Sequence, residues 1–97
     1  MKWKVDNWLS EGFRARKAGA LTAYIYKSLN WPDFYRGTPA YEVRYAGASI
    51  ALIRLDGKGA TVRRLQAGEV FPEISELDLV ELALWVSKLR GGGGQLN

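Results

Sequence analysis

The 97-residue sequence contains no cysteine and no histidine. Without cysteine there are no disulfides, and without either residue nearly every transition-metal site built from nitrogen or sulfur ligands is excluded. Thiolate nucleophiles and imidazole general bases are excluded as well. Cations with oxygen ligands would need a loop such as DxDxDG, which the sequence also lacks. We therefore expect neither a metal ion nor any other cofactor.

Long apolar runs and glycine-rich phosphate loops are also missing. No stretch approaches the roughly 20 apolar residues that span a bilayer, and the charged segment MKWKVDNWLSEG differs from a signal peptide. The glycine run at 91–94 follows a helical pattern instead of preceding one, so it does not form a phosphate loop. Serines lack a visible base. We expect a cytoplasmic protein that is not an enzyme, with no membrane contact and no small-molecule substrate.

Positive charge is present but unevenly distributed. The net charge is +4, yet residues 1–66 hold twelve Lys and Arg against five Asp and Glu, while residues 67–97 hold two against five. The basic part favours phosphates or an acidic protein surface, and the acidic part repels phosphates. A solvated surface of mixed sign is the alternative interpretation.

Hydrophobic spacing predicts a short edge strand and then a helix. Trp3 and Val5 alternate with lysines, and Asp6 or Asn7 can cap a following helix that ends before Pro32. A break near Gly19 would give two helices and suggest a helix-turn-helix, but the second segment offers few side chains that read bases. The helical spacing is carried by Leu9, Phe13, Ala20, Leu21, Tyr24, Ile25 and Leu29.

Three strands and a last helix are predicted in the remainder of the chain. YEVRY alternates, SIALIRL is apolar on both faces like a central strand, and ATVRRL follows a hairpin at Asp56-Gly57. Ser75 and Asp78 predict the start of a helix that reaches Arg90. The expected fold is an α+β domain over residues 1–90, with an N-terminal helix, a three-stranded antiparallel meander and a C-terminal helix packed on the sheet. A flexible glycine-rich tail covers residues 91–97.

This order of elements resembles the double-stranded-RNA-binding domain. Such domains hold phosphates with lysines at the start of the last helix. Here the matching stretch, residues 73–78, carries Glu73, Glu76 and Asp78, which would repel RNA. The sequence therefore departs from this family at the residues that bind, and we infer no membership.

Two features point to a binding surface. The segment WPDFYRGTPAY, residues 31–41, is rich in the residue types that dominate interface energies, and its prolines lower the entropy cost of ordering. Burial of Trp31 and Phe34 beneath the domain is the alternative, which would leave Tyr35 and Arg36 outside. The last helix has two apolar stripes, of which one must pack on the sheet and the other needs a cover. The narrow stripe is Leu77, Val80 and Leu84, and the broad one is Leu79, Leu82, Ala83, Trp85, Val86 and Leu89.

The favoured function is a small protein-interaction module of the accessory or inhibitor type, a type that includes phage and mobile-element proteins. Its partner would be a larger protein or nucleoprotein, or a second copy bound through the last helix. The expected contacts are Tyr35, Arg36, Tyr41, Leu82, Trp85 and Leu89. The alternative is nucleic-acid binding through a basic, tyrosine-bearing surface. Its expected residues are Arg14, Lys17, Lys27, Arg36 and Arg44.

Overall fold

Six antiparallel strands and one helix follow one another along the chain. The computed structural model describes residues 2–8, 12–19, 21–27, 40–56 and 59–91. The sheet order is β1-β2-β3-β4-β5-β6, so every strand pairs with its neighbours in sequence. The strands are β1 (Trp3–Trp8), β2 (Gly12–Lys17), β3 (Leu21–Lys27), β4 (Ala40–Tyr45), β5 (Ala48–Asp56) and β6 (Gly59–Arg64). A 3-10 turn (Gln66–Val70), helix α1 (Glu76–Val86) and a π-helical turn (Ser87–Gly91) follow.

The predicted N-terminal helix is wrong, and the helix-turn-helix alternative fails with it. The segment forms β2 and β3 instead, with Ala15 and Ala23 directly opposite each other in the register. Gly19, expected to weaken or break the helix, lies in the turn between these strands with φ of 91°. Glycine adopts that left-handed conformation without strain, so this residue favours the turn that connects the two strands.

The predicted three-stranded meander is also wrong as an architecture. Strands do occur at the three predicted places, as β4, β5 and β6, but they continue a six-stranded sheet that begins at β1. The predicted edge strand is present and begins at Trp3. The hairpin residue Gly57, the tail beyond residue 91 and residues 31–39 of the aromatic segment lie outside the described residues.

The sheet curls around α1. Helix α1 packs against β6, β1 and β5, so it contacts both edges of the sheet. In a flat six-stranded sheet the edge strands would lie about 24 Å apart, which is twice the roughly 10–12 Å width of a helix. A bulge between Val43 and Arg44 adds to the bending. The concave face therefore encloses the helix, and the convex face points away from it.

The core fills the space between the concave face and α1. Its buried side chains include Phe13, Ile25 and Ile53 from the sheet and Leu79 and Leu82 from the helix. Each large side chain of this kind contributes about 1.5–3 kcal/mol on burial. The broad stripe of the last helix is thus the one that packs on the sheet.

Polar contacts fasten the start of α1 to β1 and β2. Ser75 and Asp78 form the predicted capping box, with Asp78 N donating to Ser75 Oγ at 3.1 Å and Ser75 N donating to Asp78 Oδ2 at 2.8 Å. Asp78 Oδ1 also accepts hydrogen bonds from Trp3 Nε1 at 3.0 Å and Lys17 Nζ at 2.8 Å. Glu81 accepts from the Trp3 backbone amide at 2.8 Å.

Arg64 makes the corresponding connection at β6. Its guanidinium donates to Glu76 at 2.6 Å, to the Gly68 carbonyl at 2.9 Å and to the Ile74 carbonyl at 2.7 Å. Both edges of the sheet are therefore held to the beginning of the helix. No helix in the described ranges is long and apolar enough to cross a membrane.

Candidate nucleic-acid interface

The convex face carries an aromatic cluster over the first three strands. Trp8 on β1 and Tyr24 and Tyr26 on β3 alternate with the buried residues of their strands, so they point away from the core. Ring centroids lie 4.6 Å apart for Trp8 and Tyr24, and 6.1 Å apart for Trp8 and Tyr26. Tyr24 and Tyr26 are stacked at 6.4 Å. The three half-buried rings form one surface that is partly open to solvent.

Gly12 explains why rings on β1 and β3 meet across β2. In the register Gly12 is opposite Trp8 on one side and Tyr26 on the other. Strands two places apart are separated by about 9.6 Å, yet these two rings approach to 6.1 Å. A side chain between them would prevent this. The absent side chain at Gly12 lets the rings close over the strand.

Three cations lie on the same face as the rings. Lys4, Arg14 and Arg16 lie on the convex side of β1 and β2, and Arg14 is opposite Tyr24 in the register. Arg16 forms an ion pair with Asp6 at 3.2 Å. Arg14 Nε is buried and makes no hydrogen bond within the described part of the chain. A desolvated donor without an acceptor is costly, so this nitrogen lowers the stability of the fold unless the half-buried guanidinium moves.

The convex face changes character beyond β3. Arg44 Nη1 donates to Glu42 at 2.9 Å and to Ser49 at 3.1 Å, and the Ser49 hydroxyl also donates to Glu42. Leu52, on the same face, is 0% exposed. Arg44 is thus paired with Glu42, and part of the surface is closed. We therefore restrict the site to β1–β3 and call it the convex aromatic patch, which comprises Lys4, Trp8, Arg14, Arg16, Tyr24 and Tyr26.

The structure brings together only part of the cationic set predicted from the sequence. Arg14 lies in the convex aromatic patch, and Arg44 lies on the same face beside it, opposite Tyr24 in the register. Lys17 is on the concave side and forms an ion pair with Asp78. Lys27 occupies a position of the concave side, opposite Tyr41 in the register. Arg36 lies outside the described residues.

The contacts predicted for a protein partner are also separated. Tyr41 is 4% exposed and Leu82 is 0% exposed, so both are core residues. Trp85 is half-buried against the core, and Leu89 is exposed beyond the end of α1. Tyr35 and Arg36 lie outside the described residues. The apolar side chains that α1 does expose are those of the narrow stripe.

Two pKa shifts belong to structural contacts away from the patch. Burial alone would raise the pKa of Asp78, but hydrogen bonds from Lys17, Ser75 and Trp3 outweigh it and lower the pKa to about 2. The hydroxyl of Tyr45 donates to Glu73 at 2.9 Å, which raises the pKa of Tyr45. Both groups hold the helical segment to the sheet.

Sequence reasoning missed five of the six residues of the patch. It assigned the rings to a helix, so their common face was invisible. The signal was present as period-two alternation in FRARK and TAYIY, where arginines and aromatic residues occupy one set of positions and Phe13, Ala15, Ala23 and Ile25 the other.

The described residues contain no group of three or more carboxylates that could hold a metal ion. The rings of the convex aromatic patch offer stacking, and its basic side chains offer contacts with anions. Comparison with known proteins assigns the chain to no family, since no family model, no curated protein and no solved structure matches it.

Proposed function

We propose that the chain binds single-stranded nucleic acid on the convex aromatic patch. The observation that carries this proposal is the cluster of three partly exposed rings with Arg14 beside it on the same face. Rings accept bases by stacking, and arginine and lysine neutralise phosphates. Bases in a duplex are already stacked on each other, which favours an unpaired strand as the ligand.

A purely structural role would explain the rings less completely. Cross-strand aromatic pairs stabilise a sheet by roughly 0.2–1 kcal/mol each, and Trp8 with Tyr24 would serve this purpose. That role does not require basic side chains next to the rings on the same face. Nor does it explain the exposed Lys4, which forms no ion pair within the described ranges.

The distribution of charge is consistent with this orientation. Helix α1 and the turns before it carry the acidic residues of the second part of the chain, and α1 packs on the concave side. The convex side of β1 and β2 carries three cations, Lys4, Arg14 and Arg16, against one carboxylate, that of Asp6. A polyanion is therefore attracted to the ring side and repelled from the helix side.

The test is fluorescence anisotropy with a labelled ten-nucleotide single strand, in DNA and RNA form, across a range of salt concentrations. Tyr24→Leu should weaken binding by about 5- to 150-fold, since one stacked base contributes about 1–3 kcal/mol. Arg14→Ala should lower the magnitude of the log–log salt slope by about 0.7, the value for one phosphate contact on a single strand.

Lys27→Ala is the matched control for Arg14→Ala. It removes the same unit charge, but Lys27 occupies a position of the concave side of the sheet, outside the patch. We expect it to leave the salt slope unchanged. Absence of binding at low salt, or equal effects of Lys27→Ala and Arg14→Ala, would contradict a specific role for the patch.

A protein-interaction role is the second proposal. The observation in its favour is the exposed stripe of Leu77, Val80 and Leu84 on α1, which is 79%, 45% and 50% exposed, respectively. Contiguous exposed apolar side chains of this kind mark interaction surfaces. The two proposals use opposite sides of the sheet, so one chain can satisfy both.

A further inference from the structure

Rings and cations occupy opposite ends of the convex aromatic patch. The register of β1–β3 sets the residues of this face in three rows that run across the strands. The first row holds two rings and no cation, the middle row holds one of each, and the last row holds two cations and no ring. The rows are Trp8, Gly12 and Tyr26, then Asp6, Arg14 and Tyr24, and finally Lys4, Arg16 and Thr22.

The outer rows are well separated along the strands. Trp8 and Lys4 are four residues apart on β1, which corresponds to about 13 Å. In the interior of a single strand every base has its own phosphate beside it, so bases and charge are evenly spread. The patch concentrates rings at one end and charge at the other. It therefore fits a ligand in which the bases and the largest negative charge are also at separate ends.

The cationic end of the patch places two like charges side by side. Lys4 and Arg16 are directly opposite in the register, so their Cβ atoms lie about 4.5–5.5 Å apart, and like charges in this position destabilise a sheet. Asp6 forms an ion pair with Arg16 at 3.2 Å, whereas Lys4 has no ion pair in the described ranges. Both cations are exposed. One anionic group in contact with both side chains would relieve their repulsion.

We propose that the convex aromatic patch binds the phosphorylated end of a single strand, with the terminal phosphate at Lys4 and Arg16 and the neighbouring bases on the rings. This inference rests on the proposed nucleic-acid binding and adds which part of the strand the site selects. A terminal phosphate monoester carries a charge of about −1.5 to −2 at pH 7, whereas each internal phosphodiester carries a single negative charge. Two adjacent cations therefore gain more from a strand end than from the interior of a strand.

The test is fluorescence anisotropy with ten-nucleotide single strands that are labelled at one end and differ at the other. The compared ends are a hydroxyl, a phosphate and a methyl phosphodiester, placed at the 5′ end in one series and at the 3′ end in a second. At one of the two ends the phosphate should tighten binding about fivefold over the hydroxyl. The methyl phosphodiester has the same phosphorus group with one charge, and should tighten binding less than about twofold.

Three variants separate the phosphate contact from base stacking. Lys4→Ala removes one of the two adjacent cations and should reduce the preference for the phosphate to less than about twofold. Tyr24→Leu should weaken the binding of every strand by the same factor and leave the preference unchanged. Lys27→Ala removes a unit charge on the concave side and should change neither quantity. Circular dichroism verifies that the variants are folded.

The contradicting results differ from those that contradict nucleic-acid binding itself. Strands that bind without any preference for a phosphate leave the proposed function intact and overturn the selection of an end. Equal gains at the 5′ and 3′ ends, or a preference that survives Lys4→Ala, also overturn it, because they reflect added charge alone. Displacement of the strand by an equal concentration of adenosine monophosphate would assign the patch to free nucleotides. Absence of binding to every strand would overturn both proposals.

Discussion

Gly12 is the residue on which the ring cluster depends. A methyl group built there would lie 2.9 Å from the Ile25 carbonyl oxygen and 3.1 Å from Tyr26 Cδ1. The carbonyl belongs to the neighbouring strand and cannot move without disturbing the ladder. Glycine in a strand usually lowers stability, but here it is the side chain that would be costly.

Gly12→Ala should therefore destabilise the protein by about 1–3 kcal/mol, which is the typical cost of overpacking. At a strand position with free space, the same substitution would instead increase stability. Urea denaturation measures this change. Thr61→Ala, at an exposed strand position, should remain within about 0.5 kcal/mol of wild type. A stabilised Gly12→Ala protein would show that the strands can adjust and that the rings are not held by the missing side chain.

Single residues also show where sequence reasoning succeeded and failed. Ser75 and Asp78 act through bonds within three residues, so the cap could be predicted from local chemistry alone. Gly19 was recognised as an obstacle to a helix, but its positive φ belongs to a turn between strands. The buried state of Tyr41 depends on packing across the sheet, which local spacing does not report.

At the scale of elements, Asp78 connects the helix cap to the sheet. Its pKa is lowered from an ordinary value of 3.8 to about 2, because the hydrogen bonds to its ionised form outweigh burial. A folded pKa below the unfolded one means that the carboxylate stabilises the fold above about pH 4. This contribution is lost progressively as pH falls toward 2.

Asp78→Asn should cost about 1–2 kcal/mol at pH 7 and should reduce the dependence of stability on pH between 4 and 2. Thermal unfolding followed by circular dichroism at several pH values gives both quantities. Asp6→Asn is the control, since Asp6 pairs with Arg16 on the surface and should change stability by less than about 0.5 kcal/mol at pH 7. If the stability of Asp78→Asn fell between pH 4 and 2 as steeply as that of the wild type, other carboxylates would determine acid unfolding.

β2 and β3 show why the N-terminal half was misread. On the concave side they carry Ala15 and Ala23, which are only weakly hydrophobic, and on the convex side β3 carries the rings of Tyr24 and Tyr26. The two faces of these strands therefore differ little in hydrophobicity, and the period-two pattern in the sequence is weak. Leu21 and Ile25 then matched a helical period by coincidence. Aromatic rings on the outer face of β3 thus made this strand resemble a helix in the sequence.

At the scale of the whole molecule, α1 holds a curled sheet together from inside. The curl was not predictable, because it depends on the helix contacting both edge strands, which are separated by four other strands in the sheet. The charge asymmetry was predictable and corresponds to structure. Its basic part contains the whole sheet, and its acidic part contains the helical segment.

Leu82→Ala should lower the free energy of unfolding by about 2–5 kcal/mol, because Leu82 is fully buried where the helix meets the sheet. Leu77→Ala makes the same change on the exposed side of the same helix. It should stay within about 0.5 kcal/mol of wild type. Chemical denaturation of the pair distinguishes core from surface, and equal effects would contradict the assigned packing of α1.

The order of the chain has a consequence for synthesis. All six strands precede α1, and each pairs with a strand that has just been made, so the sheet can form as the chain leaves the ribosome. Its concave apolar face stays uncovered until the helix emerges. During that interval the nascent chain exposes surface that chaperones recognise and that favours aggregation. Chains that stop before α1 should therefore accumulate in the insoluble fraction.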